Sequence, residues 1–294
     1  MAMHNRYAGA RRSDRTDHII GYGNNIYKGE LMKRTIYALV VTAALFMFAG
    51  TAGATPSTQI WIPSTDIQGF GVLHLGWDSY IKTAAINGTF EGTVTNGGIT
   101  VGVLPFKQVG LEIGIDYRDI SDNHTYPIYF NAKLGVPEDG FFKYMPAVAV
   151  GAFDLGTKTG GAGLTNYNIT YGLIAKNIWK LGRISAGYYV GNDNALLVPK
   201  KDAQGFLVSW DRTISELSDK LWLAVDYQGG YNSYSEISVG LSYAITPDAS
   251  FIVGYDVWSD INSSPLVQAK PTATVQVDFN LPAVQDWFKK ADKK

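Results

Sequence analysis

The chain of 294 residues has no cysteine, which excludes disulfide staples and thiolate metal sites. It also lacks a charge excess. With 25 basic and 26 acidic residues the formal net charge is -1, so nothing in the balance points to nucleic acid. Beyond residue 54 there is no long apolar stretch of helical character, and only two histidines, His74 and His124, follow that point. Present instead are 32 glycines, 18 tyrosines and 7 tryptophans. Glycine and aromatics with few charges suggest β-structure near a membrane interface.

The segment Met32–Ala54 (MKRTIYALVVTAALFMFAGTAGA) has the three parts of a secretory signal. Lys33 and Arg34 form a basic start, an apolar run extends from Ile36 to Ala49, and Ala52 and Ala54 mark a cleavage site. The run is about 14 residues, short of the roughly 20 a spanning helix needs. The mature protein is therefore expected to begin near Thr55. Residues 1–31 are polar and without apolar period, and read as an extension upstream of the true start, Met32. The remaining organisation is expected to be 55–69 a periplasmic N-terminal segment, 70–281 a barrel and 282–294 a charged periplasmic tail.

Period two sets the fold class. In Val109–Arg118 (VGLEIGIDYR), Val109, Leu111, Ile113, Ile115 and Tyr117 face one way and Gly110, Glu112, Gly114, Asp116 and Arg118 the other. The same alternation recurs in Gly71–Tyr80, Gly98–Leu104, Ile128–Gly135, Ala147–Phe153, Ile169–Lys176, Arg183–Gly191, Gly205–Asp211, Leu221–Gln228, Ile237–Ile245, Phe251–Trp258 and Thr272–Leu281. About twelve strands, most of the 9–11 residues a tilted membrane strand needs, predict an all-β transmembrane antiparallel up-and-down barrel. The apolar face, including Leu73, Leu75, Trp77, Ile113, Phe206, Val208, Leu241 and Val253, carries no charge and is assigned to lipid.

Connections should alternate in length. Pro105–Gln108, Val136–Met145, Trp179–Gly182, Arg212–Lys220 and Thr246–Asp248 are the periplasmic candidates. Ile81–Gly97, Asp119–Tyr126, Leu155–Tyr167, Asn192–Gln204, Gly229–Ser235 and Ser259–Pro271 are the outer ones. Aromatics near strand ends, among them Tyr80, Tyr117, Tyr129, Phe153, Tyr171, Trp179, Tyr188, Trp210, Tyr227, Tyr255, Trp258 and Phe279, suggest interfacial girdles. The segments STQIWIPSTDIQ (Ser57–Gln68), SDKLWLAVDYQG (Ser218–Gly229), ASFIVGYDVW (Ala249–Trp258) and TATVQVDFN (Thr272–Asn280) resemble a porin-like family of Gram-negative outer-membrane β-barrel proteins found in environmental, metal-respiring bacteria. The resemblance implies fold and an outer-membrane location rather than an activity. It departs at the C-terminus, where Phe279 is followed by a charged tail instead of ending the chain. Expected partners are outer-membrane lipid and lipopolysaccharide, the outer-membrane insertion machinery and small solutes, with no nucleic acid.

Catalytic and metal motifs are weak. Neither His74 nor His124 has a serine two residues on, as barrel lipases require, although a triad can assemble across space. Asp119–Asn123 (DISDN) lacks the glycine and terminal Glu of a calcium loop, and Gly160–Gly163 lacks the Lys-Ser/Thr of a phosphate cradle. No cofactor, metal or enzymatic activity is expected. The informative chemistry is inward: His74, Asp78, Glu112, Asp116, Arg118, Lys133, Asp154, Lys176, Arg183, Asp211, Asp226, Asp256 and Asp278 are assigned to the lumen, with glycines such as Gly76, Gly114 and Gly172 leaving room. Acids exceed bases there, and carboxylates in a pore favour cations. The function expected is a narrow diffusion channel for small hydrophilic solutes with mild cation preference. The alternatives are a non-conducting structural or surface-interaction barrel with a filled lumen, and a membrane-embedded lipid-modifying enzyme. Arg at Ile113 or Val253, near the bilayer midplane, should cost about 2–4 kcal/mol, whereas Arg at Gly110 or Ser238, on the lumen face, should leave folding into lipid nearly intact.

Overall fold

The structure is a computed structural model that describes residues 57–85, 92–120, 127–161, 163–196, 202–259 and 270–282. The expected leader, most of the charged tail, the Asp-rich loop after Ile120 and His124 lie outside these residues.

Twelve strands form: β1 (Leu73–Lys82), β2 (Val94–Gly102), β3 (Gly110–Ile120), β4 (Ile128–Val136), β5 (Ala147–Gly156), β6 (Asn166–Ile178), β7 (Gly182–Val190), β8 (Gln204–Thr213), β9 (Leu221–Gln228), β10 (Glu236–Thr246), β11 (Ala249–Trp258) and β12 (Thr272–Leu281). Each pairs antiparallel with its sequence neighbours, and β12 returns to β1 with Leu73 opposite Leu281 and Lys82 opposite Thr272, so the sheet closes. Closure matters because an open edge cannot satisfy its backbone groups in hydrocarbon. No helix among the described residues is long and apolar enough to cross a membrane, so any crossing is made by strands.

The pleat puts the apolar set outside. Trp77 (54 % exposed), Ile113 (48 %) and Phe206 (66 %) stand on the outer surface, with Val208, Val239, Leu241, Val253 and Val275. A water-soluble barrel would bury these side chains, and a surface this apolar needs lipid as its solvent. The barrel is a transmembrane one by that criterion.

Connections are unequal. Two residues, Pro247 and Asp248, join β10 to β11, and Trp179–Leu181 join β6 to β7, whereas 13 residues separate β7 from β8 and 13 separate β11 from β12 in sequence, part of each connection lying outside the described residues. The short-turn end carries Phe106, Phe141, Phe142, Tyr144 and Trp179, all strongly exposed. These rings form a belt where amphipathic aromatics are stable at a headgroup boundary. The expected girdle divides on inspection. Tyr117, Tyr188, Tyr227, Tyr255 and Phe279 are exposed, but Tyr129 (1 %) and Tyr171 (8 %) are buried. Tyr80 and Trp258 also turn inward, where both rings pack on Trp61.

Ser57–Gln68 does not lie beneath the barrel as expected. It folds back inside as a tight hairpin, with Gln59 N–H bonded to Ile62 O (2.8 Å) and a bridge from Thr58 to Pro63. Gln59, Ile60, Ile62 and Ser64 are at most 1 % exposed. Its alternation is short and broken by Pro63, so no strand pattern signals its place. Only the wall residues it meets reveal where it sits.

Candidate functional site: a barrel lumen held by an inserted N-terminal hairpin

The hairpin is fixed by side chains from five strands. One carboxylate oxygen, Asp226 Oδ2 on β9, accepts the backbone N–H groups of Ile60 (2.9 Å), Trp61 (2.9 Å) and Ile62 (3.3 Å). Gln276 on β12 donates to Ile60 O at 2.7 Å, and Gln59 donates to Asp211 on β8 at 3.1 Å. Glu112 on β3 accepts Gln68 N–H at 2.8 Å, while Lys133 on β4 donates to Ser57 O at 2.9 Å. These bonds satisfy a backbone that no neighbouring strand pairs, which is what permits it to be buried.

Glycines make the hairpin's seat. A Cβ at Gly240 would lie 2.5 Å from Ile60 Cδ1, and one at Gly110 would lie 2.8 Å from Ile67 Cγ2. These wall glycines therefore receive side chains from the hairpin and do not line open water. Arg at Gly110 would collide with Ile67. Arg at Ser238 would displace a buried hydroxyl that donates to Asp256 at 2.8 Å. The expectation that such changes are tolerated fails because the lumen is occupied at both places.

Two kinds of lumen result. Along β6–β8, Ile169, Tyr171, Leu173, Tyr189 and Leu207 point inward and pack with Ile62 of the hairpin. Leu196, from the one-turn helix Asp193–Leu196, and Tyr234, from the loop joining β9 to β10, complete the cluster. Segments expected to be outer loops thus fold partly into the barrel. Along β12 and β1–β4 the wall is polar and bounds a cavity of about 150 Å³ against Ser57, Trp61 and Pro63 of the hairpin. His74, Asp78, Glu112, Asp116, Arg118, Lys133, Asp154 and Asp278 line it together with Gly76, Gly98 and Gly114.

Within the cavity most charges are paired. Lys133 Nζ meets Glu112 Oε1 at 3.1 Å, and Arg118 grips Asp154 with two nitrogens at 3.0 and 2.7 Å. Tyr234 donates to the same Asp154, and the Arg118 guanidinium stacks 4.6 Å above the Tyr129 ring. His74 is held on both ring nitrogens, by Asn280 Oδ1 at 2.9 Å and Asp278 Oδ1 at 3.3 Å. Its hydrogen bonds thus go to a carboxylate and an amide, not to a hydroxyl. Asp78 and Asp116 differ in accepting from asparagine amides, Asp78 from Asn96 at 3.4 Å and Asp116 from Asn131 at 2.7 Å and also from Asn96.

Asp154 faces inward for a reason alternation does not contain. In β5 the inward positions are Ala147, Ala149, Gly151 and Phe153, opposite Ala175, Leu173, Tyr171 and Ile169 of β6. A register shift between Phe153 and Leu155 and a left-handed φ of 53° at Asp154 turn its carboxylate to Arg118.

Outside the cavity, Asp211 and Asp66 share Arg183 at 2.9 and 2.7 Å. Asp256 accepts from Ser238 and Thr272, both inside the barrel.

Lys176 is a correction. It alternates with buried Leu173 and Ala175 and so lies on the outer face with Gly172 and Ile174. Its ammonium pairs with Glu138 (2.6 Å) and Asp139 (3.6 Å) of the turn between β4 and β5. Apolar residues on the inner face of β6 inverted the parity expected from its sequence. Glu236, 1 % exposed and two residues before inward Ser238, is an inward acid that strand parity could have found had β10 been begun one residue earlier.

No known family model and no curated protein matches the sequence. Among solved structures the chain is similar to the NanC porin in a rhombohedral crystal form, with 10 % identity and a TM-score of 0.43, covering 70 % of this chain and 100 % of that one. It is also similar to Salmonella typhi OmpF in complex with daunomycin, with 9 % identity and a TM-score of 0.39, covering 71 % and 96 % respectively. At this degree of similarity the functional reading rests on the lumen itself.

Proposed function

We propose that this protein is an outer-membrane channel of narrow bore for small hydrophilic solutes, with its inserted N-terminal hairpin as the constriction. The observation that carries the reading is the polar, glycine-walled cavity of about 150 Å³ between that hairpin and β1–β4. A barrel needing only to be filled would repeat the apolar packing found along β6–β8. In this reading the end of the barrel with the short turns, such as Pro247-Asp248 and Trp179–Leu181, faces the periplasm. The inner strand faces carry Asp78, Glu112, Asp116, Asp154, Asp211, Asp226, Glu236, Asp256 and Asp278 against Arg118, Lys133 and Arg183. That excess favours cations in a low-dielectric passage.

Planar-bilayer recording of the purified protein tests this directly. The wild type should conduct weakly, and Asp226→Ala, which removes the acceptor of three hairpin N–H groups, should conduct more. Currents should favour K⁺ over Cl⁻, less so as added salt shortens the Debye length. Silence in both proteins would reject the channel in favour of the filled structural barrel, which the buried hairpin and apolar cluster otherwise suit.

A further inference from the structure

We infer that the cavity beside β1–β3 binds a small organic cation, an alkylammonium compound, through Asp78 and Asp116. The pairing pattern sets the sign of the ligand. Lys133, Arg118 and His74 are each engaged by Glu112, Asp154 and Asp278, so every basic group lining the cavity already faces an acid. Asp78 and Asp116 have only amide donors and no ion pair. Two carboxylates without an ion pair of their own beside a low-dielectric wall attract a positive ligand from solution.

A second observation is independent of those two acids. Asp278 lines the same cavity and is only 6 % exposed, yet its Oδ2 has no hydrogen-bond partner. Asn96 Oδ1, beside Asp78, is likewise unpaired. Buried acceptors left unsatisfied cost free energy that an N–H donor in the cavity would recover. The Trp61 indole N–H and Ser57 hydroxyl, on the hairpin side, are also unpaired and suit a water or a ligand oxygen.

Geometry separates an organic cation from a metal ion. A metal needs several oxygens converging within about 2.0–2.6 Å of one point. No group of three or more acidic or histidine side chains among the described residues converges in that way. The acids are instead spread along the wall, with Asp78 opposite Asn96 on β2 and Asp116 opposite Gly98. The bare backbone at Gly98 receives the Asp116 carboxylate, since a Cβ there would lie 2.5 Å from Asp116 Oδ1, and that at Gly114 receives the Thr100 hydroxyl, 2.7 Å from where a Cβ would stand. Two carboxylates displaced along one wall of a cavity of about 150 Å³ suit a short methylene chain with an ammonium at each end. The Trp61 and Tyr80 rings, 5.5 Å apart at the edge of the cavity, offer faces on which an ammonium is further stabilised.

The site concerns the same lumen as the channel reading, but binding requires only the cavity, so the two fail separately. Isothermal titration of the full protein in detergent with 1,4-diaminobutane should show saturable binding that weakens with salt. The neutral 1,4-butanediol should not bind. Asp78→Asn and Asp116→Asn, each isosteric, should weaken diamine binding at least tenfold, while Asp219→Asn on an exposed turn should leave it unchanged. Equal binding of the diol, binding of Mg²⁺ in place of the diamine, unchanged affinity in both aspartate variants, or no heat from the wild type would each overturn the site. A barrel that conducts without binding diamine loses this site and keeps the channel; one that binds without conducting loses the channel and keeps the site.

Discussion

The two halves of the lumen use one backbone plan for opposite purposes. Along β6–β8 the inward residues are large and apolar, and Ile62, Leu196 and Tyr234 complete a sealed cluster. Along β12 and β1–β4 the inward residues are glycine, threonine, asparagine and charge, and they leave a cavity. Both halves present the same aliphatic surface to the outside. The outer face of a membrane strand is constrained by lipid, whereas its inner face is free to pack or to solvate. The hairpin spans both regimes, with Ile62 in the apolar cluster and Trp61 at the cavity.

Several variants would break or sharpen that contrast. The largest effect is expected in the polar half. Lys133→Ala would leave Glu112 buried without its ammonium, a loss of about 3–5 kcal/mol typical of a broken buried pair. Urea unfolding from lipid vesicles measures it, and a loss under 1 kcal/mol would mean that this half is more hydrated than its burial indicates. In the apolar half, Leu207→Ala should cost about 3 kcal/mol by the same measurement, since a fully buried leucine leaves a dry void. A negligible cost there would show that water already reaches the cluster.

Asp226→Ala should act on the hairpin more than on the barrel. Three backbone N–H groups lose their acceptor, at about 1–3 kcal/mol for the first left unsatisfied. Protease cleavage within 57–68 should become faster while the strand circular dichroism stays intact. Unaltered protection would transfer the anchoring to Gln276 and Glu112. Asp116→Asn, facing the cavity, should leave the hairpin protected, so the two acids separate anchor from lining.

The smallest effect belongs to the outer face. Lys176→Ala removes a pair whose side chains are 35 % and 22 % exposed, so solvent screening should make its cost the smallest of these, by the same unfolding measurement. Burial by itself would raise the Glu138 carboxyl, but hydrogen bonds from Lys176 and Asn177 outweigh it and hold the group below its ordinary 4.5. The contribution is therefore fully present above about pH 4.5 and is lost as pH falls through the lower folded value. A mild acid-side loss of stability that disappears in Glu138→Gln would confirm it; an alkaline-side loss would contradict the sign.

Much of the barrel was legible before folding. All twelve expected strands form, and Thr272–Leu281 and Leu221–Gln228 match to the residue. Two faces with different solvents impose period two, and period two survives in the letters. The lumen was less legible because its chemistry is not uniform. In β6 the inner face is as apolar as the outer, so Lys176 was read to the wrong side. In β5 a bulge moved Asp154 off the parity of its neighbours. The chemical partition of Asp226, Asp116 and Lys133 into anchor, lining and buried pair depends on contacts between residues 15 to 166 positions apart, from Asn131 to Asp116 up to Ile60 to Asp226.

By itself, then, the sequence determined the number of strands, the direction each face points in most of them and the surface that lipid must cover, because those follow from local alternation and backbone hydrogen bonding. Only the tertiary structure decided that Ser57–Gln68 enters the barrel, which charges neutralise one another, and that Asp78 and Asp116 form no ion pair of their own. Those outcomes follow from closing the sheet. Closure brings β1 beside β12, confines the inner faces to one volume and makes every group there find a partner across the lumen or go without.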